Sequence, residues 1–435
     1  MKILSAIILI TFLAFFRAEN RQQPMNVWEG LIVGTWNIIE ALFYDLVHSY
    51  SEIELDAYKS DAEMYQSLGY RFEVHKILTP DNYILSAWRV PGKLSEPMST
   101  INNKEPIMLQ HGLLDNSATW TVNYFNQTLV YRLLEEGYDV WLTNTRGNFN
   151  SYEHTNPKDF SVFNGHSKYW NFTLDDMARY DLPTNIDYIL DYTSREKLTY
   201  VGHSQGTFQF FAANSMMDVA SKINKFVGAG PIIYVDHATS PAVVLGYYLH
   251  MWKVFELLDE NNVLVWPRAF GKILNNIANS LRLTIWRIVQ YICGVGRTIN
   301  IDLNRVPVIG RREPGGTSLN NMLHWTQILA TGEFKMMDYG EKENLRVYGT
   351  KTPPKYDTDV MEHNLKDLKM FLIQGGNDAL VVDEDFEHLL THFKDKIGKT
   401  LSYIKVPGYG HLDYIWASDS KEKVVEPIIE FLKND

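Results

Sequence analysis

The chain has 435 residues, 45% of them hydrophobic and 13% aromatic, enough apolar material for one large core with a substantial insertion, which excludes a disordered chain. A net charge of −11 and an isoelectric point near 5.7 leave no basic excess to neutralise phosphates, which argues against a nucleic-acid partner. Cys293 is the sole cysteine, so an intrachain disulfide and a cysteine-built zinc site are both excluded.

Met1-Lys2 precedes an apolar run from Ile3 to Phe16 that is too short to span a bilayer comfortably, so residues 1–18 read as a secretory signal peptide. Phe16-Arg17-Ala18 puts a bulky residue where cleavage prefers a small one, and an uncleaved membrane anchor stays open as the alternative. On the secretory route the chain would be lysosomal or extracellular, and the sequons at Asn126 and Asn171 would be glycosylation sites. Within residues 19–52, Leu31, Thr35, Ile38, Leu42 and Leu46 fall at helical spacing and predict an amphipathic helix that packs on the body or lies on a membrane surface.

From Gly69, two alternating apolar runs around Pro80-Asp81-Asn82 predict a β-hairpin. A short apolar strand, Pro106–Gln110, runs into His111-Gly112-Leu113-Leu114, and a helix over 128–137 precedes a strand over 138–142. Residues 175–192 predict a helix, with Pro183 near its first turns or at a break. Strands alternating with helices in this way predict a mostly parallel sheet flanked by helices.

Lys197–Gly206 ends this alternation with strand, sharp turn and helix. Gly202-His203-Ser204-Gln205-Gly206 is a G-x-S-x-G pattern, in which flanking glycines let backbones pass close while the serine hydroxyl projects above the sheet, making Ser204 the candidate nucleophile. His203 should be turned away by the same geometry. Beyond about Pro231 the rhythm fails. Over Lys272–Cys293, Leu274, Ile277, Leu281, Ile285, Ile288 and Ile292 form one helical stripe, read either as ordinary core or as the inner face of a lid. A buried strand returns at Lys369–Ile373 and ends at Gly375-Gly376-Asn377-Asp378; another, Leu401–Val406, ends at Pro407-Gly408-Tyr409-Gly410-His411.

Ser204, Asp378 and His411 thus stand at strand ends in the chain order of an α/β-hydrolase triad, with His411 as general base and Asp378 fixing its tautomer. The rivals are Asp383 and Asp385 for the acid and His388 and His392 for the base; they lie in or beside a helical stretch where solvent-facing polar positions are the default. An oxyanion hole would use the N–H of Gln205 and an N–H of the earlier strand-end loop, that of Leu113. No cofactor is called for, and no His, Cys or carboxylate spacing suggests a metal site.

With these residues assembled, the chain resembles the acid lipase family of α/β-hydrolases from about Ala62 to the C-terminus. The resemblance is carried by Leu68-Gly69-Tyr70, Asp81–Leu85, His111–Leu114, Asn144–Asn148, Asp176–Pro183, the serine elbow, Gly375–Asp378 and His411–Trp416. It implies hydrolysis of triacylglycerols or cholesteryl esters at a lipid–water interface, beneath a mainly helical cap, with Ser204, Asp378 and His411 as triad and Leu113 and Gln205 as oxyanion donors. The expected organisation is a core in two parts, 53–230 and 355–435, with the cap inserted as 231–354. A short-chain carboxylesterase and a non-catalytic lipid carrier are the competing readings. Val27–Tyr50 is longer and more apolar than the family pattern before its first block, and membrane contact would run through this segment or the cap.

Overall fold

The computed structural model describes residues 27–48, 50, 54–156, 168–248, 263–264, 276–294, 300–394, 397 and 400–434. The hairpin expected from Gly69 onward is β1 (Glu73–Leu78) paired antiparallel with β2 (Tyr83–Val90), and Asn82 takes the left-handed backbone its turn needs. β3 (Pro106–Gln110), β4 (Asp139–Thr143), β6 (Leu198–His203), β7 (Ile223–Ala229), β10 (Lys369–Gly375) and β11 (Leu401–Val406) continue the sheet in the order β1-β2-β4-β3-β6-β7-β10-β11. The two-residue β5 (Glu153–His154) adds to β2. From β4 onward every neighbouring pair is parallel, as crossover helices require. A separate antiparallel pair joins β8 (Val263–Leu264) to β9 (Thr317–Ser318).

Buried clusters cover both sheet faces. One gathers Met108, Tyr200, Phe208, Phe226 and Leu372, the other Leu109, Leu142, Val201, Val227 and Ile373, so alternate residues of each central strand go to opposite layers. The helix Gln205–Met216 is buried from Gln205 to Ser215, its polar Gln205, Thr207, Gln209, Asn214 and Ser215 included, because it lies between the sheet and further helices. Arg146, buried at the end of β4, clamps three separate segments: its guanidinium donates to Asp181 at 2.8 Å and to Asp81 at 2.6 and 3.0 Å, tying the hairpin turn and the 174–193 helical run to the strand end. That run contains a π-helical turn at Met177–Asp181, after which Leu182–Thr193 continues as an α-helix with Pro183 in its first turn, so the proline stands both near a break and at a helix start.

Between β7 and β10 the chain adds helices Pro241–Tyr248, Arg282–Cys293, Val306–Arg312 and Leu319–Thr331. A third buried cluster, Val122, Ala278, Trp286, Ile301, Val306, Ile309 and Trp416, seats part of this segment on the body. Two expectations need correction here. The helix expected over Lys272–Cys293 is interrupted at Leu281, whose backbone (φ −122°, ψ 48°) lies outside helical geometry, and residues 272–275 lie outside the described residues. Its apolar stripe is not a buried face: Ile277, Ile288 and Ile292 are exposed and Leu281 and Ile285 only half-buried, while Arg282, from the opposite face, is buried with its guanidinium over the Tyr50 ring and bonded to Asn304. The helix Val27–Val47 also inverts its expected stripe. Its inward residues are Gly30, Val33, Gly34, Asn37, Ala41 and Asp45, whereas Leu42 and Leu46 face outward.

Candidate active site

The turn between β6 and the helix Gln205–Met216 forces Ser204 to φ 53°, ψ −119°, a strained region for a side-chain-bearing residue that costs on the order of 1–3 kcal/mol. Three contacts hold it there. The Ser204 N–H donates to Ala229 O of β7 at 3.0 Å, and Ser204 O accepts from the Thr207 N–H at 2.8 Å and the Thr207 hydroxyl at 2.7 Å. Gly206 is required by packing, since a Cβ there would lie 2.7 Å from Gln110 O and 3.0 Å from His111 O. The result is a serine hydroxyl lifted off the strand ends and largely buried.

His411, on the loop after β11, brings Nε2 to 2.6 Å from Ser204 Oγ, and its Nδ1 lies 2.8 Å from Asp378 Oδ2. The Asp378 carboxylate is fully engaged. Oδ1 accepts the N–H groups of Leu380 (2.9 Å) and Val381 (2.8 Å), and Oδ2 accepts the Tyr414 hydroxyl at 2.8 Å beside His411. With acceptors alone on the carboxylate, Nδ1 of His411 must be the donor, which leaves Nε2 free to accept the serine proton. Tyr414 in turn accepts the Gly375 N–H at 2.6 Å, locking its ring between the two strand-end loops. The sequence offered no signal for Tyr414 beyond its place in the His411–Trp416 block.

At the end of β3, Gly112 abuts Ser204: a Cβ on it would stand 3.2 Å from Ser204 Cβ and 3.2 Å from His203 Nδ1. Burial pushes the His111 imidazole below its ordinary range and keeps it neutral. Its Nδ1 donates to Gly112 O at 2.8 Å, and Nε2 receives the Thr145 N–H at 3.2 Å. In a trans peptide the N–H points opposite to the C=O, so a Gly112 carbonyl held by His111 turns the Leu113 N–H the other way. Neither that N–H nor the Gln205 N–H, the first of its helix, has a hydrogen-bond partner among the described residues.

Other titratable groups are accounted for elsewhere. His203 is pushed down to about 3 by burial, and its Nε2 donates to the main-chain carbonyl of His411 rather than to the serine. Asp385 bonds His237 at 2.7 Å, Asp383 faces Lys405 at 3.4 Å, His392 pairs with Glu362 at 2.8 Å, and His388 stacks on Tyr234. None of the four rivals reaches Ser204. From the inserted segment, Asn321 and Trp325 donate to the Gln205 side-chain oxygen at 3.0 and 2.8 Å, and Cys293 O accepts the His411 N–H at 3.1 Å and the Ala379 N–H at 3.3 Å. Those anchors carried no sequence signal. Asn126 and Asn171 are both exposed, Asn171 accepting a bond from Asn320.

A family model described as the alpha/beta hydrolase fold matches residues 105–418, and one described as a partial alpha/beta-hydrolase lipase region matches residues 62–124. The chain is 32% identical over 380 residues to gastric triacylglycerol lipase of Rattus norvegicus, covering 86% of this chain and 91% of that one. It is 32% identical over 411 residues to a putative lysosomal acid lipase/cholesteryl ester hydrolase of Crotalus adamanteus, covering 91% and 97% of the two chains. Against lipase member K of Homo sapiens the identity is 30% over 426 residues, covering 94% and 100%. On the family match across most of its length and on these relatives, the chain belongs to the acid lipase family of α/β-hydrolases.

Proposed function

We propose that the protein hydrolyses neutral lipid esters, triacylglycerol or cholesteryl ester, through an acyl-enzyme on Ser204. The observation that carries this reading is the unbroken chain Ser204–His411–Asp378, with the Leu113 and Gln205 N–H groups close by in sequence and fold and without a hydrogen-bond partner among the described residues. In the first half-reaction His411 Nε2 takes the Ser204 proton as Oγ attacks the ester carbonyl. The Leu113 and Gln205 N–H groups receive the negative charge that develops on the carbonyl oxygen. His411 then protonates the departing alcohol, and water enters by the reverse sequence to release the fatty acid. Asp378 holds the donor tautomer throughout.

The substrate class rests on the relatives, whose names specify triacylglycerol and cholesteryl ester, and is supported by an inserted segment whose Asn321 and Trp325 bond the side chain of Gln205, next to Ser204. We take residues 231–354 as the cap, with the helix Leu319–Thr331 as the part over Gln205 in place of the Leu274–Ile292 stripe. An acyl groove left open to water would be a large apolar patch, and a cover removes it. Passage through the secretory route, to a lysosomal or extracellular site, fits the apolar Ile3–Phe16 run and the two exposed sequons.

The test is turnover of triolein, cholesteryl oleate and p-nitrophenyl butyrate by purified wild-type protein and Ser204→Ala, with fluorophosphonate labelling of both. Wild type should label stoichiometrically and cleave long-chain esters, and the variant should do neither while keeping its melting temperature. Cleavage confined to the butyrate would favour a carboxylesterase. A wild-type protein that neither labels nor cleaves any of the three would leave a lipid carrier.

A further inference from the structure

The helix Val27–Val47 is built inside out for a helix bathed in water. Its packed side, against the helix Arg282–Cys293, presents small and polar residues, whereas its outward side presents Trp28, Ile32, Trp36, Ile39, Phe43 and Leu46. Trp28, Phe43, Leu46 and Val47 are between 67% and 77% exposed, and Ile277, Ile288 and Ile292 add exposed apolar area on the neighbouring helical segments. A surface helix ordinarily shows the reverse arrangement, and so continuous an apolar face on a monomer marks a contact surface.

We propose that this outward face docks the protein on an uncharged lipid surface, lying along it rather than crossing it. The occupant follows from charge and geometry. The helix carries Glu29, Glu40 and Asp45 and no lysine or arginine, so nothing in it draws it to anionic headgroups, while its exposed tryptophans and tyrosine suit the boundary between headgroup and acyl chain. Its 21 residues are long and apolar enough to span a bilayer. Asp45 argues against that fate. Buried near the helix end, its carboxylate accepts the Thr284 N–H at 2.8 Å, the Thr284 hydroxyl at 2.7 Å and the Tyr50 hydroxyl at 2.5 Å, bonds that insertion would have to break within hydrocarbon.

The platform also joins the catalytic loops. The helix Arg282–Cys293 packs along Val27–Val47, and its last carbonyl, Cys293 O, accepts the His411 N–H. Docking through this face would therefore place the lipid-facing helices one hydrogen bond, Cys293 O to the His411 N–H, from the loop that carries the general base. The proposal rests on the lipid-ester reading above, and its test is binding, which needs no turnover.

The full chain and the triple variant Trp28→Gln, Phe43→Gln, Leu46→Gln are floated with phosphatidylcholine vesicles and with triolein emulsion, each with and without phosphatidylserine, at low and high salt. Wild type should float on the neutral surfaces independently of salt and be released by alkaline carbonate. The triple variant should lose at least tenfold in bound fraction on both, with butyrate hydrolysis and melting temperature unchanged, and Phe43→Gln alone should fall between. Undiminished flotation of the triple variant, binding only to phosphatidylserine surfaces at low salt, resistance to carbonate, or a lipid-free dimer that the variant dissociates would each overturn the proposal. A protein inert on every ester but still floating through this face would sink the catalytic reading and leave the docking surface standing.

Discussion

Replacing Asp378 by Asn separates orientation of His411 from the packing that surrounds it. The new side chain has the same shape but must choose where to put its NH2. At the Oδ1 position the NH2 would confront two donors, the N–H groups of Leu380 and Val381, so the amide should keep its oxygen there and turn NH2 toward His411 and Tyr414. His411 Nδ1 then becomes an acceptor, its proton moves to Nε2, and Nε2 at 2.6 Å from Ser204 Oγ can no longer take the serine proton. By analogy with triads in general, the wrong tautomer costs about 10⁴ in kcat, near 5.5 kcal/mol of barrier. Stability should change far less, about 1–2 kcal/mol, because the two main-chain bonds on the buried side survive. The assay is single-turnover acylation by p-nitrophenyl butyrate beside thermal unfolding, with Asp385→Asn as the control. A kcat within tenfold of wild type for Asp378→Asn, or a collapse for Asp385→Asn whose carboxylate is bonded to His237, would refute the reasoning.

Two further outcomes follow from the elbow and from burial. Gly206→Ala drives a methyl to 2.7 Å from Gln110 O, main chain that cannot yield without moving the β3 end leading to Leu113; we expect about 1–3 kcal/mol of destabilisation and roughly 10²-fold loss of kcat, and a folded variant with wild-type kcat would show that the oxyanion loop is not set by this contact. Asp413 is raised from 3.8 to about 7, chiefly by burial, so between those values the folded chain holds a proton that the unfolded chain has released. Stability from this group is therefore undiminished below about pH 4 and declines as pH rises through about 7, by at most about 4 kcal/mol at 1.36 kcal/mol per unit. Urea midpoints at pH 5 and 7.5 should differ less for Asp413→Asn than for wild type, and equal differences would count against it.

The Ser204–His411–Asp378 arrangement was legible because the turns that hold these residues constrain sequence locally. Ser204 at φ 53° is flanked by Gly206, where a Cβ would strike Gln110 of β3, and by Gly202, where one would strike Tyr200 and the start of the following helix, while Asp378 and His411 fall just past strands whose apolar runs are visible without any alignment. The motif blocks around Asp81, Arg146 and Asp181 are legible for a different reason: one guanidinium binds all three segments, so each carries a fixed charged residue at a turn or helix break. β7 escaped notice because Asn224 and Lys225 break its apolar run after the buried Ile223, although Phe226–Ala229 is buried beside the elbow and supplies the Ala229 carbonyl that holds Ser204. The helix Glu426–Lys433, lying past the last motif, gave no functional cue either.

Where periodicity misled, it did so on the two helices that meet outside the sheet. A 3.6-residue stripe identifies an apolar face but not the solvent that face meets, and the usual inference that it turns inward assumes water on the other side. Val27–Val47 instead turns Gly30, Val33, Gly34, Asn37, Ala41 and Asp45 inward, the small residues allowing close approach while the buried Asp45 carboxylate is held by four donors, from Tyr50, Leu283 and Thr284. Once that contact is specified by small and polar groups, the large side chains have only the outer surface left to occupy. Under the proposed docking, the same pattern that predicts a core helix in a protein surrounded by water becomes the pattern of a helix with lipid as its outer neighbour.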